Sequence, residues 1–282
     1  MGCSWYYCRY NFPEVLHIAN DFLEIEAYMD DPKIKLICNP GNEPMSVAVL
    51  LSGSGTNFIA IHEEQKRLEK VGEKNYGRID AVFTNVPNCN GSQIAEEYGI
   101  PVVSLSSKKY FDLLNKDPND DEMRDFYDSA VISALEQICS PDIIVLAGYR
   151  RRLGSLFLDR YKNKIVNLYP GDTTKDYLVK GVDAGIQAIR AGEESIKCTV
   201  FLQKDNQRFG PALLQSQPIS LKSFRENDKN LISEKIREEG EWKIFPYTIH
   251  KLIAKGCLGI DEDDNVYLDG VKLESSGLQH GG

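Results

Sequence analysis

Short apolar runs alternate along this chain with stretches in which apolar residues recur every three or four positions. The runs at 46–52 (SVAVLLS), 79–84 (IDAVFT), 101–104 (PVVS), 142–147 (DIIVLA) and 164–168 (KIVNL) are rich in Val, Ile and Leu. Such nearly continuous runs suit strands covered on both faces by helices. Helical spacing fills the intervals at 56–71, 91–98, 120–139 and 153–161. Strand and helix in strict alternation predict a doubly wound, mostly parallel sheet, an α/β fold of the Rossmann-like kind. Beyond 170 the pattern predicts a helix over 181–192 ended by Gly192, strands near 197–203 and 212–218, and helices near 226–239 and 245–255. Asp269-Gly270 between the apolar flanks of VYLDGVKL (266–273) predicts a hairpin. Ahead of the first strand, 12–29 has helical spacing with Pro13 in its first turn. The expected organisation is an N-terminal helical extension (1–45), an α/β domain (46–255), and a C-terminal hairpin with a polar, glycine-rich tail (256–282) that reads as disordered.

One junction carries candidate chemistry. Ser52-Gly53-Ser54-Gly55-Thr56-Asn57 leaves the first strand and opens the first helix, where backbone N–H groups and the helix dipole make a phosphate cradle. Phe58 stands where a dinucleotide fingerprint needs its third glycine, and no P-loop lysine follows. A monophosphate fits this pattern better than a dinucleotide or a triphosphate; a tight turn with no ligand is the plain alternative. Arg150, Arg151 and Arg152 end a strand at the edge where open α/β sheets bind ligands. They read either as an anion clamp or as solvated charges.

Three segments in one order, VAVLLSGSGTNF (47–58), DIIVLAGYRRRL (142–153) and KIVNLYPGD (164–172), resemble the glycinamide ribonucleotide formyltransferase family, folate-dependent enzymes of purine synthesis. AVFTNVPNCNGSQIAEEYGIPV (81–102) continues the likeness, which spans about 46–255. The resemblance implies a formyltransferase fold. It implies a phosphate of a ribonucleotide on Ser52, Gly53, Ser54, Gly55, Thr56 and Asn57, with Glu241 of GEWKIFPYTI (240–249) touching the same substrate. It further implies a 10-formyltetrahydrofolate donor bordered by Tyr149, Arg150, Arg151, Arg152 and Leu153, and a catalytic asparagine at Asn167. The bland reading of Glu241 is an acid favoured by a helix N-terminus.

Two positions depart from the family. Tyr169 occupies the place of its histidine, and an ungapped reading of VFLQKDNQRFGPALLQ (200–215) puts Arg208 in the place of its aspartate. Formyl transfer needs a donor for the developing oxyanion and a path for the amine's proton. Tyr169 can donate a hydrogen bond but cannot become an imidazolium, and Arg208 stays protonated. Asp205, in the same loop, is the remaining candidate base, unless it simply sits in a solvated turn. None of His17, His62, His250 and His280 falls in a strand-end loop of the expected site. The loop 170–180 is polar, with Thr173, Thr174 and Lys175 available to an anion, and is long enough for a lid.

Composition narrows the partners. A net charge of −9 argues against a general nucleic-acid or anionic-membrane binder, and no run of ~20 apolar residues predicts a membrane span. Seven cysteines without a CxxC pair or zinc-like spacing read as reduced thiols in a cytoplasmic protein with no metal. Gly2-Cys3 invites lipidation, but Tyr6 stands where myristoylation wants Ser or Thr. The expected partner is a phosphorylated small molecule, with homodimerisation allowed. Three functions stay open at this point: formyl transfer to a phosphorylated amine, a catalytically inactive relative that binds a nucleotide-like ligand, and another one-carbon or acyl reaction on the same scaffold.

Overall fold

The computed structural model describes residues 33–176, 183–205 and 207–281. Eight described strands form the central sheet: β1 (Met45–Leu51), β2 (Gly77–Thr84), β3 (Val102–Ser104), β4 (Ile143–Leu146), β5 (Ile165–Tyr169), β6 (Thr199–Leu202), β7 (Ala212–Gln215) and β8 (Leu278–Gln279). Their order is β8-β7-β6-β5-β4-β1-β2-β3. Only β6 runs antiparallel to its neighbours; the other pairings are parallel. The fold is thus the expected doubly wound, mostly parallel α/β arrangement.

Helices α1 (Thr56–Lys70), α2 (Asn90–Glu97), α3 (Ser107–Leu114), α4 (Asp121–Glu136), α5 (Ser155–Arg160) and α6 (Ala184–Arg190) cover the sheet. The period-2 alternation of β1 sorts its side chains between two cores. Val47, Val49 and Leu51 join Phe58 and Ile61 of α1 and Ile244, Phe245 and Ile249 near the C-terminus. Ala48 and Leu50 face Tyr127, Val131 and Leu135 of α4 and Phe157 of α5. Each such large apolar side chain, fully buried, contributes about 1.5–3 kcal/mol. From β1 the chain winds outward through β2 and β3, then returns to lay β4 on the other side of β1. The carboxyl ends of β1 and β4 therefore flank a topological switch point, where such sheets open a crevice.

Several elements differ from expectation. Helix α3 forms where none is predicted, between 104 and 120; Ser106 caps it, its Oγ accepting the Lys109 N–H at 3.2 Å. Instead of two helices broken near 240–244, a continuous run passes from α (Lys229–Ile236) through π (Arg237–Glu241), α (Trp242–Tyr247) and π (Thr248–Ile253). Gly240 does not break it: a Cβ there would lie 2.5 Å from Cys198 Sγ, so glycine serves close packing. The flanking π-turns relax the ladder around Pro246, which cannot donate to it. The tail is not disordered over 275–281, because β8 pairs in register with β7, Leu278 with Leu214 and Gln279 with Gln215. Residues Lys35–Leu36, expected within the helical extension, pair antiparallel with Leu258–Ile260. That strand continues into the hairpin Val266–Leu268 and Val271–Lys272, turned by Asp269 (φ 49°) and Gly270 (φ 84°). The helix expected at 12–29 and the loop residues 177–180 lie outside the described residues.

Candidate active site

The β1–α1 junction is built on glycine. Gly55 takes φ +77° as the N-cap of α1, and no side chain caps the helix nor does an acid sit in its first turn. The first N–H groups of α1 are thereby left for a ligand. The start of α2 braces the loop from outside: Gly91 N–H donates to Gly53 O at 2.9 Å, and Asn90 Nδ2 donates to Ser54 O at 2.9 Å. Ser52 is buried, and its hydroxyl is spent on the scaffold. It donates to Asn85 Oδ1 at 2.6 Å and accepts the Arg150 N–H at 2.9 Å, stitching three strand ends together.

Beside this loop a cavity of about 300 Å³ is lined by Gly53, Ser54, Gly55, Thr56 and Asn57 on one side and by Ala147–Arg150, Asn167 and Leu168 on the other. Asn167 is held from two directions. Its Oδ1 accepts the Leu168 N–H at 2.8 Å, and its Nδ2 donates to Gln203 Oε1 at 3.1 Å. An amide nitrogen carries two hydrogens, so one remains for a group in the cavity.

Two residues further along β5, Tyr169 leans its ring on Phe209 at 4.7 Å between centroids. Its hydroxyl is hydrogen-bonded to Arg208 and Gln187. The Arg208 guanidinium lies 4.9 Å from the Phe209 ring centroid and 6.0 Å from that of Tyr169. Burial holds the Tyr169 hydroxyl above the ordinary phenol range, with Arg208 pulling the other way, so it stays protonated at neutral pH. The two residues that depart from the family pattern thus lie against each other.

The cleft continues past Thr56 into a smaller cavity of about 180 Å³ walled by Pro170, Asp183, Ser233, Arg237 and Glu241. Asn57 joins the two, its Nδ2 donating to Glu241 Oε2 at 2.7 Å while its Oδ1 is buried without a partner. Glu241 is 8% exposed. Burial raises its pKa above the usual carboxylate range, against the hydrogen bond from Asn57 and the Arg237 charge.

Several expected site residues lie elsewhere. The three arginines form no clamp. Arg150 is at the cavity, but the Arg151 guanidinium sits 4.4 Å from the Tyr127 ring centroid and 4.8 Å from that of Phe111, on the other face of the sheet. Strand alternation carried past β4 turns this side chain into the α3–α4 layer. Leu153 is buried in that same core, and Arg152 is exposed. The Tyr149 side chain also packs there, at 6.2 Å from Phe83, so Tyr149 reaches the cavity only as part of the β4 strand-end loop. Asp205 lines a different hollow, with Lys35, Lys162, Lys204, Glu262 and Asp264, because β6 runs antiparallel and its carboxyl end faces the opposite sheet edge. Thr174 Oγ1 donates to Asp172 Oδ1 at 2.6 Å and Lys175 pairs with Glu193 at 2.9 Å, so both are already engaged.

Among the described histidines none lines the cavity: His62 stacks on Tyr98 at 4.3 Å, His250 is fully buried, and His280 meets the Tyr247 ring edge-on. Sequence reasoning missed Gln203, Gln187, Asp183 and Arg237. Only Asp183 left a signal, as an N-cap whose Oδ1 accepts the Gly185 N–H at 3.0 Å. Among the described residues no cluster of His, Cys, Asp or Glu suits a metal, the cysteines are unpaired, and no helix is long and apolar enough to cross a membrane.

Residues 45–249 match the family model described as Formyl transferase. The phosphoribosylglycinamide formyltransferase of Escherichia coli (strain K12) is 28% identical over 233 residues, covering 83% of this chain and 98% of that protein. The trifunctional purine biosynthetic protein adenosine-3 of Homo sapiens is 29% identical over 220 residues, 78% of this chain but 19% of that longer protein. Among solved structures, phosphoribosylglycinamide formyltransferase from Coxiella burnetii superposes with a TM-score of 0.66 at 25% identity, covering 84% of this chain and 99% of that one. Glycinamide ribonucleotide transformylase 1 from Symbiobacterium toebii gives 0.65 at 25% identity, covering 81% and 95%. With the match running through β1, the glycine loop, Asn167 and Glu241, this chain belongs to the formyl transferase family.

Proposed function

We propose that the chain transfers a formyl group from 10-formyltetrahydrofolate to the amine of a phosphorylated acceptor such as glycinamide ribonucleotide. The observation that carries this reading is the free Nδ2 hydrogen of Asn167 in a cavity whose other wall is the uncapped start of α1. The names of the relatives support it. Bound, the folate would supply an activated formyl carbon, with the main chain of Ala147–Arg150 and Leu168 as its walls.

The acceptor's phosphate belongs on the N–H groups of Ser54–Asn57, where the α1 dipole favours an anion. Glu241 and the unpaired Asn57 Oδ1 are acceptors for hydroxyls of the attached sugar. When the amine attacks, the carbonyl π pair moves onto oxygen, and Asn167 Nδ2–H donates to that developing charge. Loss of such a donor typically costs about 10²–10³ in rate. The amine's proton leaves as the C–N bond to the donor breaks, and the departing donor nitrogen takes it. Tyr169 both donates and accepts through one hydroxyl. Held by Arg208 and Gln187, it lines neither cavity and orders the end of β5 without ionising. The reaction thus relies on positioning and electrostatics more than on an acid–base residue titrating near neutrality. Cytoplasmic residence fits the unpaired thiols.

The test is direct. Incubation with 10-formyltetrahydrofolate and glycinamide ribonucleotide should release tetrahydrofolate, followed by its absorbance, and Asn167→Ala should slow it about 10²–10³-fold. Thermal stabilisation by the ribonucleotide without turnover would overturn the transfer reading and leave ligand binding.

A further inference from the structure

Side chains form a straight row across the sheet from Tyr169. Register sets Tyr169 opposite Thr199, Thr199 opposite Gln215, and Gln215 opposite Gln279. The row is joined link by link. Gln279 Nε2 donates to Gln215 Oε1 at 3.1 Å, and Lys197 Nζ donates to Gln279 Oε1 at 2.8 Å. Gln215, 1% exposed, spends its amide hydrogens on Asp172 Oδ1 at 2.8 Å and Thr199 Oγ1 at 3.3 Å. Thr199 Oγ1 in turn donates to Gly171 O at 2.9 Å, while Asp172 Oδ1 accepts the Thr174 N–H at 3.0 Å. Every link beyond Thr199 therefore ends in the turn Gly171–Thr174, directly after Tyr169 and Pro170.

We propose that the strand Leu278–Gln279, acting through Gln279 and Gln215, is the positioning element of the Gly171–Thr174 turn, and through it of the acceptor's seat at Pro170 and Glu241. The inference rests on the formyl-transfer reading of the site for its kinetic consequence, but not for the latch itself. The strand lies outside the segment shared with the family model, which stops at 249. Its logic is that of a buried polar network: each member is satisfied only while the next is present, and an unpaired buried amide is expensive. Removing the outermost member leaves Gln215 Oε1 with the long 3.4 Å contact from Lys197, and slackens the hold on Asp172.

The experiment uses the full chain with Gln279→Leu, with Gln279→Glu as a second variant that keeps the Lys197 contact but cannot donate to Gln215. Val271→Ser, on the exposed hairpin edge, is the control. Amide hydrogen exchange at Thr173, Thr174 and Lys175 should quicken roughly fivefold or more in both Gln279 variants, with the amides of β1 and β4 unchanged. The KM for glycinamide ribonucleotide should rise by a similar factor while kcat holds. Unchanged exchange in the turn overturns the latch, and faster exchange with unchanged KM overturns its positioning role. A wild-type chain that formylates nothing overturns the reading of the site instead, and the exchange rates still decide the latch.

Discussion

A Cβ on Gly55 would stand 2.6 Å from the Cα of Gly91, and a Cβ on Gly91 would stand 2.9 Å from the Cα of Gly55. Backbone meets backbone here, so α1 and α2 start from a shared contact that admits no side chain. Gly55→Ala adds strain at φ +77° to that clash. It should lower stability by about 1–3 kcal/mol in denaturant melts and abolish stabilisation by glycinamide ribonucleotide. Gly53→Ala, where a Cβ meets nothing within 4 Å, should leave stability nearly unchanged.

Asn167→Ala should reduce kcat about 10²–10³-fold with little change in the KM of either substrate, because the lost hydrogen bond strengthens only as charge develops. Steady-state kinetics with both substrates varied would check it, alongside a melting curve to show that the fold is kept.

Because the Tyr169 hydroxyl is held above its ordinary range by burial, it stays protonated across neutral pH, and the wild-type rate should carry no step from this residue. Tyr169→His would place an imidazole there and bring an ionisation into the profile near 6.5. A wild-type pH–rate curve with a histidine-like step removed by Tyr169→Phe would contradict this.

His250 is fully buried. Its Nδ1 accepts the Gly77 N–H at 3.1 Å and its Nε2 bonds Ile61 O at 3.0 Å, which fixes a neutral ring. Burial pulls its pKa down from 6.5 to about 4. Between those values the unfolded chain takes up a proton that the native chain refuses, so stability falls as pH falls through that window, by about 3 kcal/mol in all. Chemical denaturation at stepped pH should show this slope, and His250→Gln should remove it.

Arg151→Leu should lower the melting temperature without changing the KM for the folate. The cation rests over the Phe111 and Tyr127 rings rather than at the cavity, and such contacts contribute about 0.5–2 kcal/mol. Asp128, which burial raises to about 6, loses its neighbouring charge in the same variant. A changed folate KM in Arg151→Leu would restore the arginine clamp.

The strands and their parallel order were legible because five Val-, Ile- and Leu-rich runs alternate with helical spacing. The glycine loop was legible because Gly53 and Gly55 stand between an apolar strand and a helix start, and the structure shows why Gly55 is needed, in its positive φ and lack of room for a side chain. Helix α3 was not legible, since Ser107, Lys108 and Lys109 give its first turn no apolar periodicity after the Ser106 cap. The C-terminal strand was not either: SSGLQHGG has the composition of a tail, and only Gln215 and Lys197, sixty or more residues earlier, give its glutamine partners. The arginine triplet misled because adjacency in sequence says nothing of which face of a sheet each side chain takes. Asp205 misled because proximity to Arg208 in one loop does not survive the antiparallel turn of β6.

The hydrogen bond from Asn57 to Glu241 spans 184 positions of chain. A nascent or partly folded molecule with its first helix already in place therefore has half a binding cleft and no floor to it. On the proposed function, the two halves meet on the ligand only in the folded chain, so a bound ribonucleotide should slow unfolding and leave the folding rate unchanged.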